Sequence, residues 1–168
     1  MRKRFDATVE WLPFDLHPEY PPEGVPRNPE RAARAAQLFA SHGLAYNPPP
    51  VSPRSLDAQR LAEHARSQGL YAPFFERTMD AYWAEAQNIG DPDVLRALAA
   101  GVGLEGTDET LETDAYLDLV RASTQQAVAA GVTGVPAFVL DQRMLVLGAH
   151  PRSTFERAFT ELDSGRPA

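Results

Sequence analysis

GVTGVPAF, at residues 131–138, is the stretch that decides how the fold of this chain is interpreted. Two glycines and one proline lie there, between a predicted long helix and an apolar run typical of a buried strand. Ala137–Leu140 and Met144–Leu147 are short, nearly continuous apolar runs, separated by polar residues at 141–143. This pattern predicts an antiparallel hairpin. Pro151 then opens a final predicted helix, which runs through Leu162.

Upstream of this stretch, helix start and stop signals follow one another closely. Asn28 is a suitable N-cap, Pro29 suits the first helical position, and Gly43 can end the helix. The predicted helices run from about 29 to 42, from a Ser55 cap to before Gly69, around 74–83, from Pro92 to Gly103, and from Thr113 to Gly131. Ahead of them, Thr8–Leu16 alternates apolar and polar residues and is predicted to be a strand, in which Pro13 marks the end, an edge or a bulge.

Composition narrows the function classes. At 168 residues the chain fits one domain with a sizeable core, and its net charge of −7 disfavours binding to nucleic acids or anionic membranes. No apolar run has the length of a signal peptide or a membrane span, so a cytoplasmic protein is expected. The chain contains no cysteine, so it has no thiolate nucleophile, disulfide or thiolate metal site.

The stretch around Pro136 resembles the C-terminal half of DsbA-family thioredoxin-fold proteins, because GVTGVPAFVL is followed by a turn, a second strand, a glycine and a proline-started helix. VEWLPFDLHP and PPEGVPR resemble the second strand and following loop of the FrnE-like branch, and DAYW and NIGD resemble its helical insertion. The resemblance implies an α/β thioredoxin-like fold in a single domain, 1–168. Residues 1–16 and 131–162 would form the thioredoxin-like part, and 28–130 mainly the helical insertion and a connecting helix.

The resemblance also implies where a substrate binds. In this family the proline before the third strand is cis, and the backbone of the preceding residue pairs with an extended peptide or thiol substrate. Val135 and Pro136 are therefore the best candidates for substrate binding, together with Thr133 and Gly134. The expected partner is a thiol or disulfide peptide, or a small molecule like glutathione.

One part of the family pattern is absent. The family carries Cys-x-x-Cys after its first strand, at the start of its first helix, whereas residues 1–6 here match only the closing turn of that helix. The N-terminal strand and most of the first helix are thus expected to be missing from this sequence. That strand is central in a thioredoxin-like sheet, so we expect an incomplete gene start, a rearranged sheet, or a homo-oligomer that fills the gap.

Three functions remain open. The first is a FrnE-like thiol–disulfide oxidoreductase homologue that is inactive in redox chemistry as given, with no catalytic residue in the chain and no cofactor. The second is a glutathione-dependent isomerase of the 2-hydroxychromene-2-carboxylate isomerase type, for which glutathione would be the cofactor. The third is a non-catalytic peptide-binding module. Arg54 and Gln59, where relatives usually carry Asn and His, count against polar contacts to a small ligand, and Ser55 is expected to be an N-cap.

Other polar and aromatic residues have simpler expected roles. The histidines lack the spacing of metal ligands and are expected in loops or at the surface: His17, His42, His64 and His150. Trp11, Trp83 and the Phe74–Phe75 pair are expected in the core. Acidic residues between 105 and 114 are expected to form a solvated face near helix starts. No metal site is therefore predicted.

Overall fold

The computed structural model describes residues 7–164. Its elements in chain order are β1 (Val25–Pro26), α1 (Pro29–Ser41), β2 (Val51–Ser52), α2 (Leu56–Ser67), α3 (Tyr71–Trp83), α4 (Pro92–Gly101), α5 (Thr107–Glu112), α6 (Leu117–Ala129), β3 (Ala137–Leu140), β4 (Met144–Leu147) and α7 (Arg152–Ser164). The described residues divide into two compact units. We call 17–122 the helical unit, and 7–16 with 123–164 the hairpin unit.

The helical unit is built around a core between α2, α3 and α4. Leu61, Phe74 and Leu95 are fully buried there, and Ile89 closes the cluster from the loop before α4. Caps set the helix starts, because the side chain of Asn28 accepts from the Arg31 amide, as predicted for α1. The helix starts at 29 and 92 and the core position of Phe74 therefore follow the sequence prediction.

The hairpin unit contains the predicted antiparallel hairpin with the predicted bounds. β3 pairs with β4 in a register that places Ala137 opposite Leu147 and Leu140 opposite Met144. Phe138 packs edge-on against Phe155 of α7, with 4.8 Å between ring centroids. The inward face of the hairpin is therefore covered by the last helix.

The strand predicted at Thr8–Leu16 does not form, since residues 8–16 belong to no strand of the described structure. A strand requires a partner for its backbone groups, and alternation of side chains cannot supply one. Side chains of α6 form hydrogen bonds with the backbone of this segment instead. Ser123 Oγ donates to the Pro13 carbonyl at 2.7 Å, and the Asp15 amide donates to Thr124 Oγ1 at 2.9 Å. The closing helix turn expected at 1–6 lies outside the described residues.

The helix predicted from Thr113 to Gly131 is shorter, at Leu117–Ala129, and a short helix that was not predicted precedes it. Residues 107–112 form the short helix α5, and α6 begins only at Leu117. Thr113 has an extended backbone with φ −121° and ψ 178°, and Tyr116 has φ +61°, so the chain turns between them.

The acidic residues between 105 and 114 were expected to form a solvated face. The acidic side chains of α5 are exposed, and Asp108 pairs with Arg96 at 2.6 Å.

Two further expectations need correction. Trp11 was expected in the core, but 51% of its surface is exposed, because the segment that carries it has no sheet to pack in. His64 was expected in a loop or at the surface, but it lies on α2 and is half-buried, with Nε2 2.6 Å from the Glu105 carbonyl. Within residues 7–164, no helix has the length and apolar character needed to cross a membrane.

Candidate functional site

The segment 131–136 is anchored at its start by the C-terminus of α6. Gly131 has φ +90°, and its amide donates to the Val128 carbonyl at 2.9 Å. The Val132 amide donates to the Ala127 carbonyl at 2.9 Å, which completes a Schellman motif. Val132 is 5% exposed and fixes the chain against the unit. Glycine is required at 131 because a side chain there would be strained at positive φ.

The other end of the segment is held by the hairpin. The Gly148 amide donates to the Pro136 carbonyl at 2.7 Å, which extends the ladder by one residue beyond β3. The Val135–Pro136 peptide bond is cis. Thr133 is exposed and Gly134 half-buried, so these two residues bridge the anchors at the surface. The four predicted site residues therefore form one surface loop that is fixed at both ends.

One edge of β3 is open. Because Pro136 is bonded to Gly148, Phe138 and Leu140 also direct their backbone groups toward β4, whereas Ala137 and Val139 direct their amide and carbonyl groups away from β4. Within residues 7–164 the sheet has only these two strands, and no backbone hydrogen bond of Val135 is found there. We call the outward backbone groups of 137 and 139, together with the unpaired backbone groups of 135, the open edge.

The surface beside the open edge is apolar. Val135 is 53% exposed and Val139 is 55% exposed. Most large apolar side chains that are exposed in the described structure belong to the hairpin unit, although it is the smaller unit: Val9, Trp11, Leu12, Leu16, Val128, Val135, Val139 and Leu147. Exposed apolar side chains that lie beside unpaired backbone groups, as those of Val135 and Val139 do, are typical of a binding surface.

The helical unit contains the three residues at which polar contacts to a small ligand were considered: Arg54, Ser55 and Gln59. Ser55 precedes α2, but its side chain makes no cap hydrogen bond and instead accepts from Gln59 Nε2 at 3.3 Å. The prediction that the Ser55 side chain caps α2 is therefore wrong, since its hydroxyl bonds to Gln59 instead of to a backbone amide of the helix. Arg54 Nε and Gln59 Oε1 are buried without a hydrogen-bond partner.

Chemical groups that could react or hold a metal are sparse. Across residues 7–164 there is no group of three or more His, Asp or Glu side chains that could hold a metal ion. The site residues carry backbone amides, carbonyls, one hydroxyl and apolar side chains, and these groups can bind a ligand but supply no nucleophile at neutral pH. The arrangement is therefore suited to recognition of an extended chain.

Sequence reasoning missed the contacts of Ser123 and Thr124 with residues 13 and 15. No local pattern marks these side chains, because a serine and a threonine in a helix normally bond within their own helix. It also missed which residues of β3 belong to the open edge. The bond between the Gly148 amide and the Pro136 carbonyl decides this, because it sets which residues of β3 bond to β4.

Comparisons with known proteins agree with this architecture. The family model of the DSBA-like thioredoxin domain matches residues 1–160. The uncharacterized protein YwbO of Bacillus subtilis is 32% identical over 166 residues, which cover 93% of this chain and 82% of YwbO. The crystal structure of a probable DsbA oxidoreductase from Streptomyces coelicolor is similar with a TM-score of 0.80 and 29% identity, over 92% of this chain and 75% of that one.

A more distant structure shows the same fold. A proposed protein disulfide isomerase from Nitrosomonas europaea superimposes with a TM-score of 0.65 at 16% identity, covering 86% of this chain and 80% of its own. At that identity the likeness concerns the fold alone.

Proposed function

Because this chain belongs to the DSBA-like thioredoxin domain family and has its α/β fold, we propose that it is a FrnE-like thiol–disulfide oxidoreductase homologue whose open edge binds an extended peptide or thiol substrate. The observation that carries the proposal is the row of unpaired backbone groups at Val135, Ala137 and Val139, beside exposed valine side chains. A ligand strand would pair with this row by β-augmentation.

The binding step follows from the geometry of the open edge. The Val135 amide would donate to a ligand carbonyl and its carbonyl would accept from a ligand amide, and Ala137 and Val139 would repeat the pattern. The exposed side chains of Val135 and Val139 would lie beside the ligand strand and would contact alternate residues of that strand. Specificity would thus rest on ligand shape and apolar character, since no charged side chain belongs to the four site residues.

The redox step needs a group that these 168 residues do not contain. Disulfide exchange begins when a thiolate attacks a disulfide sulfur, and the chain has no cysteine. We therefore propose that the sequence as given is inactive in disulfide exchange.

The decisive experiment measures binding of an extended peptide. The probe is a soluble peptide of about eight residues, blocked at both ends, with alternating Val or Thr and Ser or Lys. Amide signals of ¹⁵N-labelled protein are followed during titration, and we expect the largest shifts at 133–139. Val139→Pro removes one outward amide and no ladder bond, so it should weaken binding by about threefold to tenfold.

Two control variants sharpen the measurement. Leu147→Pro removes an amide that points away from β3 at the opposite edge of the hairpin, so binding should be unchanged. Val139→Ala keeps the amide and trims the side chain, which separates the two contributions. Equal affinity of wild type and Val139→Pro, with both folded by circular dichroism, would contradict binding at the open edge.

The two alternatives are tested by the same titration. Glutathione is a short extended peptide, and an isomerase of the glutathione-dependent type would bind it at the open edge without exchanging disulfides. Displacement of the blocked peptide by reduced glutathione would favour that reading. Peptide binding that glutathione does not affect would favour a non-catalytic module.

We also propose that a second copy of this chain can cover the apolar surface of the hairpin unit. The exposed valine, leucine and tryptophan side chains of that unit support this, because unpaired edges and apolar faces promote association. Light scattering after size exclusion should then give a mass near twice 18.4 kDa at high concentration. A monomer at every concentration would contradict the proposal.

The cytoplasmic location of the protein stays a prediction.

A further inference from the structure

A cavity lies entirely within the helical unit and shares no residue with the open edge. It has a volume of about 210 Å³ and lies against the N-terminal half of α1. Ala32 and Ala35 of that helix line it, so small side chains leave the space open. Four other lining residues carry the argument: Arg27, Arg31, Tyr46 and Trp83.

Two guanidinium groups of this cavity have no carboxylate partner among the described residues. Arg27 is half-buried and is held rigidly by neutral acceptors, with Nε 2.9 Å from the Pro49 carbonyl and Nη2 2.7 Å from the Tyr82 hydroxyl. Nη1 of Arg27 makes no hydrogen bond, and the exposed side chain of Arg31 makes neither a hydrogen bond nor an ion pair within residues 7–164. Two positive charges without a carboxylate partner around one cavity favour an anionic ligand, because guanidinium groups form strong charge-assisted hydrogen bonds with carboxylates.

Part of the cavity lining is aromatic. The rings of Tyr46 and Trp83 are stacked with centroids 6.0 Å apart, and Phe39 of α1 packs on both at 5.1 Å. The buried Tyr46 hydroxyl has no hydrogen-bond partner in the described structure. A flat apolar group would lie favourably against this wall, and a buried hydroxyl without a partner is a donor that a ligand could use.

We propose that this cavity binds a small aromatic carboxylate. Its carboxylate would accept from Arg31 and the free Nη1 group of Arg27, and its ring would lie against Trp83 and Tyr46. The volume is below the roughly 300–1,000 Å³ typical of sites for drug-sized ligands, so the ligand contains little more than a single ring.

Fluorescence of Trp83 provides a direct test. The chain has two tryptophans, so a Trp11→Phe background leaves Trp83 as the reporter. Benzoate is the probe, benzyl alcohol tests the need for charge, and inorganic phosphate tests the need for the ring. We expect saturable quenching by benzoate alone, with calorimetry giving the same dissociation constant.

Three variants connect the binding to the cavity. Arg31→Gln should weaken benzoate binding by about tenfold or more, as expected for loss of a charge-assisted hydrogen bond. Ala35→Leu should abolish binding by filling the space. Arg34→Gln is the matched control, because Arg34 is an exposed arginine of the same helix that does not line the cavity, and affinity should change less than about twofold.

Three results would overturn the proposal. These are no benzoate binding up to about 10 mM, phosphate binding as tight as benzoate binding, or equal weakening in Arg34→Gln and Arg31→Gln. Thermal melts of each variant establish that it is folded. If Ala35→Leu does not fold, the comparison of benzoate affinity between Arg31→Gln and Arg34→Gln decides the outcome.

Discussion

Replacement of Arg60 by methionine should strongly destabilise the helical unit. Arg60 is 5% exposed in the middle of α2, and its guanidinium donates to the carbonyls of Thr110, Thr113 and Ala115. Nη1 also pairs with Asp57 at 2.7 Å. One side chain therefore satisfies three backbone acceptors at and just beyond the end of α5. Methionine fills similar volume but donates nothing.

The magnitude follows from the burial of those acceptors. Thr110 is 2% exposed, so its carbonyl would lose its donor without access to water, at a cost of about 1–3 kcal/mol. Thr113 and Ala115 are less buried, and water can replace part of what they lose. With a small contribution from Asp57, we expect a loss of about 2–4 kcal/mol in the free energy of unfolding.

The assay is urea unfolding, followed by circular dichroism and by Trp83 fluorescence in the Trp11→Phe background. Arg77→Met is the control, because Arg77 pairs with Glu85 at 2.7 Å near the surface and should cost about 1 kcal/mol at most. The free-energy change is taken from the shift in midpoint at unchanged slope. A loss in Arg60→Met no larger than in Arg77→Met would refute the assigned role of the guanidinium.

Three further predictions concern the hairpin, the N-terminal segment and pH. Gln142 has φ +55° in the hairpin turn, so Gln142→Gly should raise the free energy of unfolding by about 0.5–1 kcal/mol, and an unchanged melting temperature would contradict this. Ser123→Ala removes the donor to the Pro13 carbonyl and should cost about 1 kcal/mol, with faster hydrogen exchange at Asp15; unchanged exchange would speak against that contact. Burial raises the pKa of Tyr71 above its usual 10.0, so its contribution to stability is present below pH 10 and is lost as pH rises through the folded-state pKa; Tyr71→Phe should abolish that part of the alkaline loss, and identical alkaline unfolding curves would contradict it.

Much of the fold could be predicted from the sequence because it depends on local signals. The hairpin of β3 and β4 follows from two apolar runs around a polar turn, and the start of α1 follows from Asn28 and Pro29. The family likewise follows from the motif around Pro136, since the DSBA-like domain spans residues 1–160. These features are set by neighbouring residues, so one sequence is enough to identify them.

Other features depend on which backbone groups find partners far away in the chain. Residues 8–16 have the alternation of a strand, yet the Pro13 carbonyl and the Asp15 amide bond to Ser123 and Thr124. The direction of the open edge depends on the bond between residues 136 and 148. The cavity beside α1 brings Arg27, Arg31 and Trp83 together from separate segments. Side-chain pattern specifies which face of a segment is apolar, whereas pairing and enclosure are decided only when distant segments meet, because backbone hydrogen bonds and cavities need partners that local sequence does not contain.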